Sequence, residues 1–539
     1  MVSADAPLIA GARFGPPAPS PEELAAFPLN NLGDAMRLMR LAGAERNEDG
    51  SWIIDNCTLL YQIGAGWVGF NGRFWDRDYG EELARLKAHA VAAVMAGLYK
   101  ELSAAWPLEK PADIVKYLRG LGSAGSSSGM LRQAQSYLIA RIDMFDRDPM
   151  ALNCQNGTLK LRLVAGKLER RLERHDPADR ITKITAVDYD PTAACPEFTG
   201  VHCDSFQRSA EERDYFQRTC GYAVTGLRTE QSFFVCQGKG RDGKSTMLDA
   251  IRQALGTYAS TGDVNTFLDT GAVSSAGPSP DLARLSGDVR YVVLSEPKKG
   301  AVWNESRLKA WTSGTPIAAR ELNQRGIEFA PTGKLFVECN AFPRPKSDDD
   351  GFWRRIKVVL FRRQVPVDKV DLDLPARIAK RELQGILNWL LDGLEDYLVG
   401  GLRAPDTLAR FSSAYRASSS PLLDWLQECC VWGDAAADDW VSAKDLRSSL
   451  NDWWDEQGHD PNKRISMRTL GDFLTDRQIG TKRSRTGNVL RGPMKLKAQW
   501  EREASHDGAE LVATGADGPA GAGGQSGRAN AFREEWDGR

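Results

Sequence analysis

The stretch FFVCQGKGRDGKSTMLDAIRQALG, Phe233 to Gly256, constrains the fold of this chain more than any other. An apolar run breaks into glycines and charge, then resumes at helical spacing. Gly238, four residues, then Gly243, Lys244 and Ser245 satisfy G-x-x-x-x-G-K-[ST]. Ser232 to Gln237 reads as a strand. Met247, Leu248, Ile251 and Leu255 share one helix face, and Gly256 is a natural stop. In a strand–loop–helix of this kind, backbone N–H groups wrap phosphate oxygens and the helix N-terminus adds a favourable dipole. The expected phosphate cradle is Gly238, Lys239, Gly240, Arg241, Asp242, Gly243, Lys244, Ser245 and Thr246. Lys244 is suited to neutralising β- and γ-phosphates, and Ser245 to ligating Mg2+.

A phosphate loop needs an acid to hold magnesium and activate water. Tyr291 to Leu294 is a buried-strand run, and Glu296 follows its end, where α/β sheets place ligands. The next strand candidate, GKLFVECNAFP, ends in Asn340, an amide able to orient water and sense a γ-phosphate. In GFWRRIKVVLF, Arg354 and Arg355 precede a further strand, and arginine suits charge on a transferring phosphoryl group. The expected catalytic set is Lys244, Glu296, Asn340, Arg354 and Arg355, with Ser245 and Glu296 on the metal.

The length of 539 residues allows two to four domains. A net charge of −2 confines any nucleic-acid surface to a local patch. The nine cysteines include no C-x-x-C pair and the five histidines are scattered, which implies reducing surroundings and no structural zinc. There is no signal-peptide pattern and no apolar stretch of membrane-spanning length, so a soluble protein of a bacterial host's cytoplasm or nucleoid is expected. Residues 1–30, with GPPAPSPEE, read as a flexible arm, and 501–539 as a disordered tail. GWVGFNGRFW reads as a hairpin around Asn71-Gly72, LNCQNGTLKLRL as another around Asn156-Gly157, and Ser123 to Gly129 as a flexible interruption. From about 205 to 365 strand and helix alternate, and Leu383, Ile386, Leu387, Leu390, Leu391 and Leu394 repeat as a buried helix.

Near the C-terminus, Ser442 is a plausible N-cap for a helix with Leu446, Leu450, Trp453 and Trp454 on one face. Met467, Leu470, Phe473 and Leu474 mark a second helix, and GTKRSRTGNVLRGPMKLK resembles a hairpin. Helix, helix, two-stranded wing is the order of a winged helix. Cations crowd residues 462–497, including Lys482, Arg483 and Arg485, against Asp472 and Asp476 alone. That density points to contacts with a DNA backbone.

The order of these motifs resembles superfamily 3 helicases, and within them the phage/plasmid primase–helicase family that includes the poxvirus primase-helicase. GKGRDGKSTMLDAI resembles that family's phosphate loop, and DLARLSGDVRYVVLSEP its Walker B approach. RLKAWTSGTPIAARELNQRGIEFAPTGKLFVECNAFPRPKSDDDGFWRRIKVVLF resembles the stretch from its third motif through sensor to arginine finger. NLGDAMRL, GWVGFNGRFW, LNCQNGTLKL, YDPTAACPEF and CGYAVTG resemble its helper domain, so the likeness spans about residues 30 to 500. It implies an ATP-driven hexameric ring of AAA+ type moving 3′ to 5′ on single-stranded or forked DNA. Each subunit's finger would complete its neighbour's site, with Arg355 the better fit of the pair. The resemblance also implies a DNA-contacting hairpin around Ala319 to Pro331, flanked by Arg320 and Arg325, with Lys309 on the preceding helix. Two departures stand out: Asp242 where relatives commonly have Asn, and a single Glu296 after Ser295 where many have two acids. The roughly thirty residues before the helper domain are too few for a polymerase fold, so no primase-polymerase domain and no priming are expected, and a separate primase or polymerase would be a partner.

The expectation is therefore an α/β protein: an AAA+-like P-loop NTPase core at 201–405, an α+β helper domain at 31–200 and a winged-helix-like domain at 421–500. Its function would be that of a replicative DNA helicase using ATP and Mg2+. A non-translocating initiator or DNA-binding ATPase is the alternative, and a P-loop kinase a more distant one.

Overall fold

Four apolar runs and one polar edge build the central sheet. They are β1 (Phe233–Gly238), β2 (Ala259–Gly262), β3 (Tyr291–Leu294), β4 (Lys334–Cys339) and β5 (Ile356–Phe361). In the computed structural model these strands are all parallel, in the order β2-β3-β4-β1-β5. Strands covered on both faces read as nearly continuous apolar runs. Phe234 of β1 lies beside Phe336 of β4, their rings stacked at 5.0 Å. The structure describes residues 18–206, 209–270, 279–320, 326–346, 349–418, 421–458, 461 and 464–498. The expected tail at 501–539 lies outside them. Met1–Arg416 and Ala417–Arg539 form two units.

Five helices matter to the sheet: α1 (Pro196–Ser205), α2 (Ala210–Ala223), α3 (Lys244–Leu255), α4 (Glu305–Ser313) and α5 (Leu383–Gly400). Met247, Leu248, Ile251 and Leu255 of α3 are fully buried, as their spacing predicts. Helices α2 and α5 touch backbone to backbone. A Cβ on Gly393 would sit 2.3 Å from the Gln217 carbonyl oxygen, and one on Gly221 would sit 2.2 Å from the Leu394 nitrogen. A meander of Ala151–Cys154, Gly157–Val164 and Lys167–Glu173 contributes Leu152, Leu159, Leu161 and Leu168 to the same core as the sheet. Cys154 pairs with Gly157, so the turn is Gln155-Asn156 rather than Asn156-Gly157.

Residues 24 to 145 supply a second core. Strands Leu59–Gln62 and Gly66–Phe70 pair antiparallel, and Gly66–Phe70 pairs in turn with Trp75–Asp76. Four residues, 71–74, join the last two, closed by Asn71 Oδ1 accepting from the Arg73 and Phe74 amides. Two expectations need correction. Part of the arm at 1–30 is the helix Pro21–Ala26, because Leu24 and Ala25 bury against this core; residues 1–17 are outside the described set. Ser123 to Gly129 is the start of the helix Ala124–Gln135, capped by Ser123 and held by the buried Met130 and Ala134 downstream. Small residues there permit helix once one face has something to cover.

In the second unit, Ser442 caps the helix Ala443–Glu456 by accepting from the Asp445 amide at 3.1 Å. The helix Met467–Asp476 follows, then strands Gly480–Arg483 and Val489–Gly492 paired antiparallel. Leu446, Leu450, Trp453, Trp454, Leu470 and Leu474 form its core.

Candidate active site

The β1–α3 loop bends through left-handed backbone at Gly240, Arg241 and Gly243, and α3 starts at Lys244. Lys244 is 5% exposed, and its Nζ donates to the Cys339 carbonyl at 3.1 Å and to Asn340 Oδ1 at 3.4 Å. The Asn340 amide in turn donates to Glu296 Oε1 at 3.2 Å. Gln237 Nε2 donates to the Asn340 carbonyl at 3.2 Å. The loop lysine, the residue after β4 and the acid after β3 thus form one linked group. Parallel strands bring them together, because all their C-terminal ends lie on one edge of the sheet.

Asp242 has a definite place in this loop. Its Oδ2 accepts from the Gly240 amide and its Oδ1 from the Lys244 amide, each at 3.1 Å. Ser205 Oγ donates to the Asp242 carbonyl at 2.7 Å. Two carboxylate oxygens take two amide donors, where an asparagine has one oxygen to offer. The side chain is 5% exposed and braces the loop from within the protein.

Glu338 is a site residue that the sequence reading passed over. Ser245 Oγ donates to Glu338 Oε2 at 2.9 Å. Burial pushes the Glu338 carboxyl above its ordinary range, and the Ser245 hydrogen bond and the Lys244 charge draw it part of the way back. The signal was present: an acid inside the apolar run LFVEC has a reason to be there. Ser245, Glu338 and Glu296 are hard oxygen donors that fit magnesium, which is held by few protein ligands and completes its shell with phosphate and water oxygens. Among the described residues no group of three His, Cys, Asp or Glu side chains could hold a metal unaided.

The arginine pair divides. Arg355 is 7% exposed, and its guanidinium donates to Thr312 Oγ1 at 3.1 Å, to Ser313 Oγ at 3.0 Å and to the Gly351 carbonyl, all in its own chain. Arg354 is exposed. The preference for Arg355 as a residue reaching outward does not agree with that burial: the position before an apolar strand draws its side chain into the core.

Strands Ile317–Ala319 and Ile327–Phe329 pair antiparallel where a hairpin was expected. Arg320 is exposed at its end, and Arg325 lies outside the described residues. Lys309, on α4, is not a free cation: it pairs with Asp349, whose carboxyl it holds below the usual range. In the second unit Lys482 lies over the Trp440 ring at 3.8 Å, while Arg483 and Arg485 are exposed.

Fold and site define a parallel α/β core carrying a phosphate-type glycine loop, an acid and an amide at one sheet edge. The comparisons then place the chain among known sequences. Residues 50–207 match the family model described as D5 N terminal like. It is 29% identical over 259 residues to a protein of Acanthamoeba polyphaga mimivirus provisionally named a helicase, covering 45% of this chain and 27% of the relative. It is 33% identical over 153 residues to a protein of Frog virus 3 with the same provisional name, covering 28% of this chain and 16% of the relative. The chain thus spans about a quarter or less of the length of these relatives. A solved structure of the NrS-1 C-terminal region matches with a TM-score of 0.35 and 12% identity, over 63% of this chain and 94% of that one. The resemblance to the phage/plasmid primase–helicase family that includes the poxvirus primase-helicase holds, with relatives in large DNA viruses provisionally named helicases or primases. Among the described residues, no helix is long and apolar enough to cross a membrane.

Proposed function

We propose that this chain is the motor of a superfamily 3 DNA helicase, hydrolysing ATP between the subunits of a hexameric ring and moving on single-stranded or forked DNA. The observation that carries the reading is the linkage of Lys244, Asn340 and Glu296 at one sheet edge beneath the glycine loop. Loop amides and Lys244 bind the β- and γ-phosphates. Glu296 takes the proton side of water activation, and Asn340 positions the water and reports the γ-phosphate. Ser245 and Glu296 would hold Mg2+, with Glu338 orienting the Ser245 hydroxyl, and the ion would supply charge neutralisation on the phosphates when bound. Arg354, exposed and beside β5, acts on the neighbouring subunit's nucleotide. The hairpin bearing Arg320 contacts the DNA backbone, and the second unit is a winged-helix-like module gripping DNA through Arg483 and Arg485. A separate primase or polymerase would supply synthesis.

The test is ATP hydrolysis by the full chain with and without single-stranded DNA. Stimulation by DNA that disappears in Lys244→Ala supports the motor. Turnover of a small phosphate acceptor without DNA would move the reading to a kinase, and ATP binding without hydrolysis under any DNA condition to a non-translocating initiator.

A further inference from the structure

A cavity of about 250 Å³ opens beside the phosphate loop on the β5 side of the sheet. Phe206 and Leu360 give it apolar wall, Ser209 and Gln364 polar rim, and Glu212 a carboxylate. Glu212 is 5% exposed, accepts from Thr407 Oγ1 at 2.9 Å and lies 3.5 Å from Arg362. The same wall elements hold the loop. Gln364 Nε2 donates to the Lys239 carbonyl at 3.4 Å, and the Val365 amide donates to the Arg241 carbonyl at 2.8 Å. Ser205, which also borders the cavity, donates to the Asp242 carbonyl. Cavity and loop are therefore one continuous surface.

The strand order gives a bound nucleotide a direction. Asn340 and Glu296 follow β4 and β3, on one side of β1, so the reacting γ-phosphate belongs on that side. The rest of the nucleotide must leave the loop on the other side, where β5 and this cavity lie. We infer that the cavity is the base subsite of the nucleotide whose phosphates the loop holds, and that Glu212 selects a base presenting an N–H donor, as the adenine amino group does. The inference rests on the nucleotide reading proposed above. Phe206 offers the flat apolar contact that a purine face needs. A carboxylate oxygen accepts hydrogen bonds, so it favours an exocyclic amine over a base lacking one.

Two measurements on the full chain decide it. With 8-azido-ATP and magnesium, photolabel mapped by mass spectrometry is expected on the peptides holding Phe206 and Ser209 or Arg362 to Gln364. Label confined to other segments overturns the inference. In steady-state hydrolysis, ATP is expected to exceed purine riboside triphosphate, which lacks the amine, by about tenfold in kcat/KM. Glu212→Ala should bring that ratio close to one, and Glu212→Gln, which keeps one acceptor oxygen, should fall between. Equal kcat/KM for the two nucleotides in the unmodified chain overturns the selection by Glu212. Labelling that inorganic tripolyphosphate fails to displace, with no hydrolysis of any nucleotide, sinks the phosphate site itself and the function built on it. Base-indifferent hydrolysis with label elsewhere sinks the base subsite alone.

Discussion

Ser245 Oγ donates to Glu338 Oε2 across 2.9 Å, joining the first turn of α3 to β4. The hydroxyl expected to ligate magnesium is thus oriented by an acid two residues before Asn340. A partner that orients a metal ligand contributes about ten- to a hundredfold in metal affinity or activity. Glu338→Gln should therefore raise the magnesium concentration needed for half-maximal ATP hydrolysis by about that factor. Magnesium titration of the steady-state rate measures it. Because burial raises the Glu338 carboxyl, acidification should raise the magnesium requirement at a higher pH than an ordinary carboxylate would.

Asp242 predicts a split between binding and chemistry. Its carboxylate accepts from the part-buried Gly240 amide and the buried Lys244 amide, and Ala would leave both donors without it. Each lost partner costs about 1–3 kcal/mol. Asp242→Ala should raise KM for ATP by about tenfold or more with a much smaller fall in kcat, and Asp242→Asn should fall between. A lower KM in Asp242→Ala would show instead that the carboxylate competes with phosphate for these amides.

Much of this arrangement is legible in the residues because local rules agree there. The run Tyr291 to Leu294 is a strand with those bounds, and the α3 face is buried at every residue the spacing selects. The glycine loop, Glu296 and Asn340 converge because parallel topology fixes which ends of the strands meet. What periodicity misses is set by tertiary contact. Whether Arg354 or Arg355 points inward depends on Thr312 and Ser313, some forty residues away in sequence. Lys309 looked like a solvent-facing cation until Asp349, also distant in sequence, was placed beside it. Ser123 to Gly129 is helical because Met130 and Ala134 find a core, which composition does not reveal.

His202 makes stability pH-dependent. It is 3% exposed, its Nε2 donates to the Arg213 carbonyl at 3.1 Å, and Phe206, Phe216 and Trp389 surround the ring. Burial lowers its pKa from 6.5 to about 4. Between those values the unfolded chain binds a proton that the folded chain does not, so this contribution to stability falls as pH drops through that window. The loss approaches about 3 kcal/mol near pH 4. Denaturant unfolding of the full chain from pH 7 to pH 4 should show a steeper decline than in His202→Phe. Parallel curves would remove His202 as the cause.

Arg354 and Arg355 should fail in different ways. The Arg355 guanidinium holds Thr312, Ser313 and the Gly351 carbonyl, so it ties α4 to the start of β5. Arg355→Ala strands those partners in a buried setting and should lower stability by about 2–3 kcal/mol, read as an earlier denaturant midpoint in an unassembled chain. Arg354 is exposed and adjacent in sequence to that anchored residue, so its backbone is fixed while its side chain extends outward. Arg354→Ala should unfold like the unmodified chain yet lose ATP hydrolysis by on the order of a thousandfold, the effect of removing an arginine from a transferring phosphoryl group. Action in trans would give this residue a signature that no structural role shares. Arg354→Ala and Lys244→Ala should each be inactive alone, but in the proposed ring an intact finger from the Lys244→Ala subunit would meet an intact loop from the Arg354→Ala subunit. Mixing the two should restore a fraction of the activity, rising with protein concentration as mixed rings form. Full activity in Arg354→Ala alone would exclude it as the finger. Its loss without recovery on mixing would place its action within its own subunit.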